Sequence, residues 1–245
     1  MRRMRRSVAG LCFVLLWGCS SDFGKSPVPP APETTAEVPP IVIAPKKDPK
    51  KKYFPEGSPS HAIQDLDDQL DSYILSPQTD EEKRYNDALK KQVLHGTFDI
   101  GELCRLAMAG HWKEISGAEQ RHFVDLMTRL LEKKAVFSKE QGGKKQKGKG
   151  PLYSVTYEGH RFLNPEQTLS LVRSLVHIPS EDLEIELNYR LKKAETGWKI
   201  YDVIVDGASL LDNYKFQFDK IIKKDGYPTL VHRMESKLAE IEAKS

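Results

Sequence analysis

Cysteine is scarce in this chain. Its 245 residues hold only Cys12, Cys19 and Cys104, and only Cys104 lies in a stretch patterned for folding. An intramolecular disulfide is therefore not expected, and no Cys/His spacing suits a zinc site, so no metal is expected either. A long hydrophobic run is also missing. The apolar stretch at residues 8–18 spans 11 residues, about half of the roughly 20 that a spanning helix needs. Nor does one charge dominate. The formal net charge is +3, and Arg2, Arg3, Arg5 and Arg6 supply four of the 38 basic residues, which leaves 34 against 35 acidic ones. A nucleic-acid partner, which calls for clustered Lys and Arg, is not expected. Enzyme signatures are absent too: there is no G-x-S-x-G elbow, no H-E-x-x-H and no Gly-rich phosphate loop, and the seven histidines are scattered. Hydrolase or transferase activity is not expected.

What is present divides into three parts. Residues 1–18 read as a secretory signal, with an arginine cluster followed by a short apolar core. It ends in Leu16-Trp17-Gly18-Cys19, then Ser20 and Ser21. That segment resembles a lipobox, in which the cysteine receives a diacylglycerol thioether. Cys19 is thus the expected lipidation site, and the small residues after it resemble those of lipoproteins sent to the outer membrane. Residues 19–59 form the second part, a tether rich in Pro, Ser, Thr and Lys. Proline blocks helix and sheet propagation, and too few large apolar residues are present to offset ordering entropy. At about 3.1 Å per residue such a tether could reach on the order of 120 Å if fully polyproline-like, or nearer 35 Å as a coil.

The third part, residues 60–245, carries the folding pattern. Ile63, Leu66, Leu70 and Ile74 fall at helical spacing over residues 61–75. Thr79 with the acidic residues after it opens a second helix to residue 94. Asp99 caps a third, and a long helix opens at Ser116, with Phe123, Leu126, Met127, Leu130 and Leu131 on one stripe. A Lys/Gly run follows, with five lysines from Lys139 to Lys149, and reads as a loop. The period then switches to two. Residues 152–159, 168–178, 181–198 and 198–207 read as four strands joined by short turns. Two helices close the chain, divided at Gly226 with Pro228 in the first turn of the last. The expected fold is α+β, a four-stranded antiparallel meander packed against N- and C-terminal helices. Within it, Gly207 is expected in a special turn, Ser209 as a helix cap, and Asp202 as a hydrogen-bonding strand residue.

Two stretches resemble the MlaC family, also called the toluene-tolerance auxiliary family. In residues 198–238 the resemblance rests on Trp198, Asp202, Val203, Val205, Gly207, Ser209, Leu210, Tyr214, Phe218, Gly226 and Leu230. In residues 98–131 it rests on Phe98, Asp99, Arg105, Trp112, Gln120, Arg121 and Phe123. It covers residues 60–243. Members are non-enzymatic periplasmic carriers that hold phospholipid acyl chains in an apolar cavity between sheet and helices. They exchange lipid with an MCE-domain transporter of the inner membrane and a lipoprotein–porin complex of the outer membrane. The resemblance therefore implies phospholipid as ligand, no cofactor, and a site on the periplasmic side of the outer membrane once Cys19 is acylated. This chain departs from the family in its anchor, its tether and its Lys/Gly insertion.

The residues expected to line the cavity are Val155, Tyr157, Leu171, Leu175, Leu187, Tyr189 and Val203 on the sheet. On the helices they are Phe123, Met127, Leu130, Tyr214, Phe218 and Leu230. Core packing asks for the same residue types, so an envelope docking module with a filled core is the alternative reading.

Overall fold

The computed structural model describes residues 52–74, 77–134, 153–179 and 182–243. The expected signal, Cys19, the tether up to residue 51 and the lysine-rich run lie outside the described residues.

Each helix starts where a side chain satisfies its open amides. Helix α1 (Pro59–Leu70) is capped by Ser58, whose side chain accepts from His61 N, with Pro59 in the first turn. It ends four residues before Ile74, because Asn86 captures that backbone: Ile74 N donates to Asn86 Oδ1 and Asn86 Nδ2 donates to Ile74 O. Helix α2 (Asp80–Thr97) begins with a reciprocal capping box between Thr79 and Glu82. Helix α3 (Ile100–Met108) is capped by Asp99 and runs into a 3₁₀ turn (Ala109–Lys113). Helix α4 (Gly117–Lys134) opens with Ser116 and Glu119 bonding each other's backbone amides.

The sheet follows, as strands β1 (Ser154–Phe162), β2 (Leu169–Ile178), β3 (Leu183–Ala194), β4 (Gly197–Val205) and β5 (Ala208–Ser209). All neighbours are antiparallel, in the order β1-β2-β3-β4-β5. The sheet therefore has five strands, not four. The extra strand comes from Asp206-Gly207, whose φ values of 47° and 82° make the two-residue turn that sends the chain back on itself. Ser209 then caps helix α5 (Leu210–Asp225), and Gly226 separates it from helix α6 (Tyr227–Glu242).

The core is split in two. On one sheet face, Val172, Leu191, Trp198, Ile200 and Val203 pack against Ile63 and Leu66 of α1 and Leu89 and Val93 of α2. Helices α3 to α6 bury a second cluster, where Phe123 meets the edge of Phe218 at 5.5 Å and Tyr214 stacks on Phe218 at 5.4 Å. This cluster meets the sheet chiefly at β4 and β5. Phe98 packs against both clusters, and Asp99 N donates to Ile200 O, which pairs the α2–α3 junction with β4. The helices thus do not form one layer on the sheet. The first two cover a face, while the last four form their own core beside β4. Among the described residues no helix is long and apolar enough to cross a membrane.

Candidate ligand cavity under the first helix

Helix α1 carries two faces of different chemistry. Ile63, Leu66 and Leu70 repeat at helical spacing and point toward the sheet. They close a cavity of about 50 Å³ with Tyr153, Val155 and Tyr157 of the β1 side, Val176 of β2, and Leu187 and Tyr189 of β3. Asp67 adds a carboxylate to this wall and accepts a 2.9 Å hydrogen bond from Tyr157 Oη. Burial, and then the Asp67 charge, push the Tyr157 hydroxyl far above its ordinary range, so it stays a neutral donor.

The other face of α1 is buried and polar, and residues 52–58 lie along it. Gln64 accepts from Phe54 N at 2.8 Å and donates to Lys52 O at 3.0 Å. Tyr53 Oη donates to Asp68 Oδ2 at 2.7 Å. Trp198 Nε1 donates to Gly57 O at 3.0 Å, and Ser60 Oγ bonds His160 Nδ1 at 2.9 Å. The folded unit therefore reaches back to Lys52, into the stretch expected to be tether.

The expected lining residues separate into three groups. Val155, Tyr157, Leu187 and Tyr189 come together at the cavity. Val203 borders a second apolar cleft of about 20 Å³ instead, with Leu94, Phe98, Ile100, Leu103 and Leu131. Phe123, Met127, Leu130, Tyr214, Phe218 and Leu230 are core of the helical cluster and line neither space. Leu171 and Leu175 pair with Arg190 and Glu186 and so share the opposite face of the sheet, because alternate strand residues point to opposite sides. The buried residues of β2 are the alternate ones, Ser170, Val172, Ser174, Val176 and Ile178. Sequence reasoning missed Tyr153 and Val176 on the sheet side and Ile63, Leu66, Asp67 and Leu70 of α1 as lining, although the apolar members of α1 mark its stripe. That stripe was the available signal.

Asp202 has a structural part. Its side chain is fully buried, pairs with Arg190 at 2.9 Å, and accepts from Ser209 Oγ at 2.7 Å and Leu211 N at 2.9 Å. It ties β4 to the start of α5. Burial raises its pKa against the pull of those donors. Cys104 is buried and its thiol is pushed well up by desolvation. Among the described residues, no group of three or more His, Cys, Asp or Glu could hold a metal ion.

Comparison with known proteins agrees with this fold. The chain is similar in structure to a phospholipid-binding protein from Ralstonia solanacearum, solved in complex with a phospholipid. The two are 24% identical, with a TM-score of 0.58 over 74% of this chain and 97% of that one. No match was found among curated proteins. The family model described as MlaC protein matches residues 62–236, and with most of the folded region inside that match, the chain belongs to the MlaC family.

Proposed function

We propose that this protein binds phospholipids without catalysis and transfers them across the periplasm, in an Mla-type pathway that maintains outer-membrane lipid asymmetry. The observation that carries the reading is the apolar cavity between α1 and the sheet in a chain of the MlaC family. The Ralstonia relative, which binds a phospholipid on this fold, supports it. Acyl chains gain about 25 cal/mol for each Å² taken out of water, and such a wall of Ile, Leu, Val and Tyr supplies that burial without catalytic groups. In this reading the headgroup stays outside. The partners are an MCE-domain inner-membrane transporter and an outer-membrane lipoprotein–porin complex. Acylation of Cys19 would hold the protein on the periplasmic side of the outer membrane and confine transfer to the span of its tether.

The cavity of about 50 Å³ has room for only one or two waters, whereas sites for drug-sized ligands run to roughly 300–1,000 Å³. Its walls must part to admit a lipid. That small volume also favours a second reading, an envelope docking module that carries no lipid. Native mass spectrometry with lipid extraction separates the two. The sample is the chain without residues 1–18 and with Cys19→Ser, before and after incubation with phospholipid vesicles. A bound species of diacyl-phospholipid mass is the expected result. A folded protein that stays empty would overturn the carrier reading and leave the docking module.

A further inference from the structure

Strand β1 lies at the edge of the sheet and is interrupted by a bulge between Tyr157 and Gly159, where φ is +97° at the glycine. A bulge loosens pairing locally and lets a strand bend. The two halves of β1 are tied to different parts of α1. Beyond the bulge, His160 bonds Ser60 in the first turn of α1, and the ring of Phe54 lies beside Gly159. Before the bulge, Tyr157 bonds Asp67, two turns further along the helix. The cavity is on that second side, walled by Val155, Tyr157, Leu66 and Leu70.

We propose that the Tyr157–Asp67 hydrogen bond is the latch of the cavity, and that residues 154–157 swing about the bulge to admit acyl chains. The inference rests on the phospholipid reading and assigns two admission residues within it. While the bond is made, α1 and the edge strand enclose too little space for a chain. A loaded cavity holds these walls apart, so the bond stabilises the closed form alone. Removing it raises the open fraction, and uptake rises by the same factor while the open form remains a minority. Release, which starts from the loaded form, does not change.

The test is stopped-flow transfer of a chain-labelled phosphatidylethanolamine from vesicles of phosphatidylethanolamine and phosphatidylglycerol to the full chain. Tyr157→Phe and Asp67→Ala should each take up lipid about tenfold faster, the low end of what a hydrogen bond to a charged acceptor holds. Release rates should equal the wild type's. Asp67→Asn keeps an acceptor oxygen for Tyr157 but not its charge, so it should speed uptake by only about threefold, between the wild type and Asp67→Ala. Leu238→Ala destabilises the helical cluster away from the latch and should not speed uptake. Unchanged uptake in a folded, lipid-binding Tyr157→Phe variant would overturn the latch and leave the carrier reading standing, as would an equal acceleration in Leu238→Ala. No uptake by the wild type would overturn the carrier reading, and the latch with it.

Discussion

Leu66 is the residue through which packing and ligand binding can be read together. It is 5% exposed, belongs to the core between α1 and the sheet, and also borders the cavity. Leu66→Ala deletes three buried carbons, a transfer loss of about 2.4 kcal/mol at about 0.8 kcal/mol each. Incomplete collapse of the site adds to that, for a total of about 3 kcal/mol, inside the 2–5 kcal/mol range of buried Leu→Ala changes. In a domain of this size each kcal/mol moves Tm by about 2–4 °C, so the expected fall is about 6–12 °C. The same truncation widens the space that an acyl chain would enter. Added phospholipid should therefore raise the variant's Tm by more than the wild type's, because a ligand's stabilisation grows with the logarithm of its affinity for the folded form. Circular dichroism melts with and without short-chain phosphatidylglycerol provide the assay. A Tm within about 2 °C of wild type would refute the packing of Leu66. A full loss of stability with identical lipid-induced shifts in both proteins would refute the cavity as the ligand site.

Other outcomes follow from particular contacts. Asp202→Ala should cost about 2–3 kcal/mol in denaturant unfolding, since it strips partners from Leu211 N, Ser209 and Arg190. His111 joins the 3₁₀ turn to α5 through Asp219 at 3.0 Å and also bonds Glu114 at 3.1 Å. Those acceptors, Asp219 first, raise its folded pKa above 6.5. Its contribution to stability is thus full below about 6.5 and lost as pH rises through the folded value. Melts of His111→Gln across pH 5 to 9, taken as about the window His titrates in, should lack that loss. Leu175→Asn, on the outer sheet face opposite Glu186, should leave lipid loading in the mass-spectrometric assay unchanged.

Much of this fold is written locally. Thr79, Asp99, Ser116 and Ser209 each announce a helix start that the structure confirms, because a cap is satisfied within a few residues of sequence. The alternation along β2 and β3 likewise fixes strands and pairing. Less legible was anything decided between distant segments. Ile74 leaves the helical pattern for Asn86, a partner 12 residues away. Alternation on β2 shows that two faces differ but not which one α1 covers, so Leu171 and Leu175 read as inward while Val172 and Val176 are the buried ones. The apolar stripes of α4, α5 and α6 state that those helices bury a face. Whether they bury it against a ligand, the sheet or each other is settled only by their mutual packing.

The run of residues from Lys52 to Ser58 matters for distance. Its backbone and side chains are bonded to Gln64, Asp68 and Trp198, so it moves with the globule and contributes nothing to reach. The proposed tether therefore extends no further than residue 51, eight residues short of the 59 at which composition alone would end it. At about 3.1 Å per residue that takes about 25 Å from the reach that the proposed anchor at Cys19 would allow. Lengthening the chain by eight residues ahead of Lys52 would restore that radius without touching the fold.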